Sequence, residues 1–564
     1  MKRLSFVLFM ALSGSLLIQS CKQGDKSNTP VPKDAVLVLH INNTTLSSKL
    51  SWQEIKASNW FKELYSEAPD SMLRKLMDDP DNSGMDTKAD MVMFLKKVGQ
   101  GGYMAFEGTL KDAAAFETFN KKVTDGAAVS KDGDASYIAI QKQGLVYWKG
   151  THFVYIMDAP LGAMTNAMNG SYNSEPYKFS TDSLRQFAKA TFEISGSNSL
   201  NSDDRFRALL KDEGDVHFWV NNEEYLSALS GDALSVLKMG DIFKGYVTAS
   251  TISFDNGKIS MKSKSYLNKQ MADLYKKYPS KKISADVINR IPSQNVAGVL
   301  AINYSPEGLK EIIKFTGLDG LANGFLEKAH LSIDEFVKAN KGDLVLAVTD
   351  FEMKKKEVLI PGYDGGEPYK HYTTQPDVKV LFATSVNDKA AFDKLITTLS
   401  DQMGDQKGQM PEVTHQIDKN WFAAGNSADQ VTKFMSGTTV SHPFTSRLTD
   451  YSFGMYVDIQ KILTGFGSAL KDSSEDAAMT LSLKMWQDIL VAGGGELKDG
   501  AISSFGEINL VDKSTNSLKQ LNQYIDNMHA IFKRRHNSTV QVEDVILEEV
   551  AKDEPAPPPP PRKK

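Results

Sequence analysis

Along the chain, short apolar runs give way to stretches with apolar residues three and four apart, the pattern of strands followed by helices. The pattern then returns. "VPKDAVLVLHIN" (Val31 to Asn42) matches "IPSQNVAGVLAIN" (Ile291 to Asn303), each a proline, an apolar strand ending in Ile-Asn, and then a helix. "LKDAAAFETF" (Leu110 to Phe119) matches "VNDKAAFDKL" (Val386 to Leu395), both opening a helix after a strand. "FVYIMDAPLGAMTNAMNG" (Phe153 to Gly170) matches "WFAAGNSADQVTKFMSG" (Trp421 to Gly437), a strand and a helix stopped by glycine. "VHFWVNNEEYL" (Val216 to Leu226) matches "FGMYVDIQKIL" (Phe453 to Leu463), and "SFDNGKIS" (Ser253 to Ser260) matches "ELKDGAIS" (Glu496 to Ser503). In the last pair Asn256-Gly257 and Asp499-Gly500 predict two-residue hairpin turns. Each series closes on a predicted helix, Ser265 to Tyr278 and Ser514 to Met528.

Matches in one unbroken order predict two tandem copies, residues 34–280 and 281–530. Hairpin-joined strands are antiparallel and the helices need a sheet face to cover. Each copy is therefore expected to be α+β, a mixed, mainly antiparallel sheet with helices on one face. The two are expected to pack across a pseudo-symmetric cleft. Residues 531–564, acidic and ending in five consecutive prolines and "RKK", read as a disordered tail.

The N-terminus has a different pattern. A basic "MKR" precedes an apolar Leu4 to Ile18, too short to span a hydrocarbon core of roughly 30 Å, so residues 1–20 read as a secretion signal. Ile18, Ser20 and Cys21 resemble a bacterial lipobox, which implies acylation of Cys21, the single cysteine of the chain. Residues 21–33 are then a lipidated tether, and no thiol is left for a disulfide or a metal. Lys22 rather than aspartate after the cysteine, with Asp25 the one nearby acid, favours the outer membrane and its periplasmic face over the cell surface.

Charge narrows the partners. Without Lys2 and Arg3 the chain carries 63 basic and 70 acidic side chains, a balance that argues against nucleic acid. The nine histidines form no H-E-x-x-H helix, and no G-x-S-x-G elbow, P-loop or G-x-G-x-x-G after a strand is present. His40 and His217 fall in predicted strands as ring fillers. "DPDNSGMDTKAD" (Asp79 to Asp90) approaches a calcium loop, with oxygens of Asp79, Asp81, Ser83, the Met85 carbonyl and Asp90 as ligands around a turning glycine. The alternative is a helix-to-strand turn whose aspartates cap and solvate. Calcium is the one cofactor in view. In "IPGYDGGEPYKHY", Tyr363, Tyr369 and Tyr372 alternate with Asp364 and Glu367, a composition suited to stacking on sugar rings, or simply to a solvated hairpin tip.

With its lipobox, "VPKDAVLVLHIN", the "DPDNSGMD" turn before a strand and the doubled plan, the chain resembles a family of Bacteroidota lipoproteins catalogued as a domain of unknown function. The resemblance implies lineage and supplies no catalytic residues. The expected function is a lipid-anchored, non-enzymatic envelope protein that binds a ligand or a partner, an envelope protein or a glycan. The rival is a glycan or peptidoglycan hydrolase using paired carboxylates.

Overall fold

The computed structural model describes residues 30–67, 82–99, 101–140, 144–159, 161, 177–230, 239–328, 332–360, 369–402, 413–467 and 473–552. Alternating apolar residues bounded by turns form eighteen strands there. The first ten are β1 (Leu37–Ile41), β2 (Met91–Val98), β3 (Gly101–Thr109), β4 (Ser130–Asp132), β5 (Ala135–Ile140), β6 (Gly144–Lys149), β7 (His152–Asp158), β8 (Val216–Asn221), β9 (Val247–Asp255) and β10 (Lys258–Tyr266). The rest are β11 (Val296–Asn303), β12 (Asn340–Ile360), β13 (Tyr369–Val386), β14 (Thr414–Ile417), β15 (Trp421–Gly425), β16 (Phe453–Asp458), β17 (Trp486–Gly493) and β18 (Ala501–Leu510).

Every pairing is antiparallel, and the pairs join into one continuous sheet. Its seam is β10 against β18, in register from Lys258 opposite Asn509 to Tyr266 opposite Ala501. Outward from the seam, one side runs β10, β9, β8, β1, β2, β3, β7, β6 and the other β18, β17, β16, β11, β12, β13, β15, β14. Beyond β6 the first side adds β5 and β4. The two halves of the chain are therefore not joined across the expected cleft. They meet edge to edge, because hydrogen bonding the closing strands removes two sheet edges at once.

The expectation of helices on one face also changes. Strands such as "LVLHI" and "VAGVLAIN" are apolar at both parities, so both faces need cover. On the first face, Leu184 and Ala188 of the helix Thr181–Phe192, with Phe206 and Leu209 of Asp204–Lys211, seal Val38, Phe94, Ala105 and Trp219. In the second half the helices Ala285–Asn289, Ala428–Met435 and Thr445–Leu448 seal Val299, Ala301, Val345 and Ala383 on that same face. On the opposite face, Phe116 of the helix Ala113–Val123 packs on Phe153 and Tyr155, and Phe392 and Leu395 of Lys389–Gln402 pack on Phe422. Both of these helices open on an aspartate: Asp112 accepts from Ala114 N and Ala115 N, and Asp388 from Ala391 N, each at 2.9 Å.

The last helix, Ser517–Lys552, runs into the residues read as tail. No glycine or proline interrupts it before Pro555, so nothing in the backbone stops it near 530.

Candidate functional site

Cys21 lies outside the described residues, as do Asp79 and Asp81 of the acidic turn. The described half of that turn is committed to the fold. Gly84 stands at φ +79°, and a Cβ there would come within 2.3 Å of the Asp112 carbonyl oxygen. Its own carbonyl accepts from Lys111 N and Asp112 N, which ties the turn to the start of the next helix. Ser83 is buried and its hydroxyl accepts from Met85 N at 3.2 Å. Met85 forms a bridge with Leu110, and Asp90 faces His40. Among the described residues no group of three or more His, Cys, Asp or Glu side chains is placed to hold a metal ion.

In the tyrosine-rich segment, Tyr363, Asp364 and Glu367 also fall outside the described residues. What flanks them is a two-stranded arm. β12 and β13 stay paired from Glu352 opposite Asp377 out to Ile360 opposite Tyr369, past the reach of β11 and β15. Tyr372 is exposed on it, its hydroxyl donating to Glu357 at 3.1 Å.

The structure brings together two residues far apart in sequence. His40 and His217 are register partners on β1 and β8, both buried, with Nδ1 atoms 3.3 Å apart. His217 Nε2 lies 2.8 Å from the Asp212 carbonyl oxygen, which can only accept, so that nitrogen carries a proton. His40 Nε2 lies 3.4 Å from an Asp90 carboxylate oxygen. His217 Nδ1 is then left to accept, so His40 donates to it through Nδ1. In the same row across the sheet, beyond Val92, stands Glu107 on β3. It is fully enclosed, its Oε1 has no hydrogen-bond partner among the described residues, and burial pushes its carboxyl well above the usual range.

An opening lies in the first half, where the sealed face meets its helices. A cavity of about 590 Å³ is lined by Lys33, Asp34, Lys96, Arg205, Tyr103 and Trp219, among others. Its acids are held by cations. Lys96 lies 2.9 Å from Asp34, and Arg205 grips Asp203 through Nε at 3.0 Å and Nη2 at 2.7 Å. Burial alone would raise the Asp203 carboxyl, but the Arg205 hydrogen bonds outweigh it and hold the group below its ordinary value. The Arg205 guanidinium sits 5.7 Å from the Trp219 ring centre and 5.6 Å from that of Tyr266, which fixes its plane. Trp219 is buried, yet its indole N–H has no hydrogen-bond partner among the described residues.

A family model described as a domain of unknown function, DUF4836, matches residues 28–361. The chain belongs to this family. The match takes in every cavity residue of this DUF4836 protein and the strands β1 to β12. No curated protein sequence matches it. Among solved structures, "Structure of crystal form III of TP0453" is similar at 9% identity and a TM-score of 0.25, over 47% of this chain and 90% of that one. "Structure of crystal form IV of TP0453" is similar at 10% identity and a TM-score of 0.23, over 46% and 89%. Likeness that slight carries no argument.

Sequence reasoning on the DUF4836 chain missed the cavity entirely. Its residues come from six separate stretches between Pro32 and Val247, and none forms a spaced motif. The one local signal was Trp219 alternating with His217 in "VHFWV", which marks an inward face but not an opening.

Proposed function

We propose that this is a lipid-anchored binding protein of the cell envelope, held through Cys21 on the periplasmic face of the outer membrane, and that its ligand enters the cavity beside Trp219. Two tandem copies of one ancestral fold build it. The duplication is supported by eight strands occurring in the same order on either side of the seam. Anchoring is supported by the lipobox-like start, and no helix among the described residues is long and apolar enough to cross a membrane.

The observation that carries the binding reading is the cavity's chemistry: cations held in place by ion pairs and aromatic rings, with the neighbouring acids already charge-paired. A glycosidase-like acid pair needs one carboxyl protonated and poised. Asp34 is mostly exposed and paired, and Asp203 is held ionised, which favours binding over hydrolysis. Ala190, exposed on the last turn of the helix Thr181–Phe192, lines the mouth. Ala190→Trp should fill the opening without touching the core. Small molecules that co-purify with the native chain from envelope extracts, detected by mass spectrometry, should be lost from this variant at unchanged melting temperature. Identical small-molecule profiles for the two would rule the cavity out as the site.

A further inference from the structure

The pairing at the seam makes the two halves exchange their closing helices. The helix Lys269–Lys277 follows β10 and the helix Ser517–Lys552 follows β18, the same place in the two strand orders. The first crosses into the second half, where Tyr275 donates to the Gly495 carbonyl at 2.7 Å and the helix flanks Pro306–Phe315. The second crosses into the first half, where Leu518 packs with Trp52 and Trp60, and Lys519 pairs with Glu54 at 2.8 Å. They differ in length. Ser517–Lys552 runs on over the helix Asn59–Glu67: Asn522 accepts from Trp60 Nε1 at 3.0 Å, Asp526 caps that helix, and His529 and Lys533 reach Glu63. Lys269–Lys277 stops ahead of Pro279 and makes no such continuation. What the longer helix covers in the first half is therefore open in the second. A groove of about 460 Å³ lies between Lys269–Lys277 and Pro306–Phe315, with apolar Met271, Leu274 and Phe315 and the rim lysines Lys277 and Lys314. The helix Asp319–Lys328, at nearly the chain distance from β11 that Asn59–Glu67 has from β1, leaves Leu321 66% exposed.

We infer that this groove takes the C-terminal turns of Ser517–Lys552 from a second copy of the chain. The first half names the kind of occupant, since the helix that seals the corresponding surface there is this one. Past its hold on Glu63, residues 535–552 carry the helix roughly 27 Å further. In that stretch Val542, Ile546 and Val550 recur every fourth residue, the spacing of one helix face. The charges are complementary. Val540 to Lys552 sets Glu543, Asp544, Glu548 and Glu549 against Lys552, whereas Lys269–Lys277 sets Lys269, Lys276 and Lys277 against Asp273, and Pro306–Phe315 is balanced. An anionic lipid surface would repel the same acids, so the amphipathic stretch fits a protein groove rather than a membrane. Two copies can serve each other reciprocally, each groove holding the other's helix, which closes a dimer. The groove is separate from the cavity at Trp219, so either can fail without the other.

The test is sedimentation of the full chain carrying Cys21→Ala, which lacks the acylation site. It should associate reversibly as concentration rises, and less at high salt. Ending the chain at Arg534 should abolish association. Ile546→Asp in the helix, or Lys276→Glu with Lys277→Glu beside the groove, should weaken it about tenfold or more at unchanged melting temperature. Mixing the Ile546→Asp chain with the doubly substituted lysine chain should give tighter association than either alone, because one intact groove then meets one intact helix. A native chain that stays monomeric would overturn the inference. So would association that survives in all three variants, or a mixture that binds no better than its parts.

Discussion

Glu107 shows how far a single residue can be read from sequence. In "GGYMAFEGT" it alternates with Phe106 and so reads as the solvent side of a strand. In the fold that parity faces the sealed core, and among the described residues no charge partner relieves the enclosed carboxyl. Its folded pKa lies above its ordinary value of 4.5. The fold therefore holds a proton that the unfolded chain releases, and stability intact below that pH is lost as pH rises toward the folded value. Glu107→Gln should melt higher than the native chain at pH 8, by roughly 2 °C or more, with the gap closing at pH 4. Parallel pH profiles would contradict the burial argument. The strand placement of His40 and His217 was legible from periodicity. Their contact was not, because a cross-strand pair 177 residues apart leaves no local pattern.

At the level of elements, turn chemistry and helix stops were the most legible. Gly257, Asp499 and Gly500 all take positive φ, as Asn-Gly and Asp-Gly turns demand, and Gly437 at φ +76° ends its helix. The predicted helix from Ser265 begins at Lys269 because Asn268 caps it, accepting from Met271 N at 2.8 Å. The strands β4 and β5, which have no counterpart among the described residues of the second half, were missed, since three- and six-residue strands barely register as alternation. Helix-to-helix docking was invisible as well. Asp526 on the last helix accepts from Asn59 N and, at 2.9 Å, from Trp60 N, so it caps the helix Asn59–Glu67 from outside. Asp526→Ala should cost about 1 kcal/mol and speed hydrogen exchange in residues 59–67 first. Unchanged exchange there would mean that the cap contributes nothing.

For the whole molecule, the α+β class and the repeat of motifs follow from patterns a few residues long, while the way the halves join does not. Pairing β10 with β18 depends on edges that nothing in either strand's own sequence selects over solvent. Cellular placement belongs to this scale too: Cys21→Ala should move the protein from the membrane to the soluble fraction, and its persistence in membranes would remove the proposed anchor. The continuous sheet itself can be tested through one bond. Lys264 and Ser503 are exposed register partners across the seam, and the chain has no cysteine other than Cys21. In the Cys21→Ala background, Lys264→Cys with Ser503→Cys should oxidise to an intramolecular disulfide, whereas Lys264→Cys with Ile502→Cys, on opposite faces, should not. Free thiols in the first pair, or equal oxidation of both, would contradict a single sheet running through the two halves.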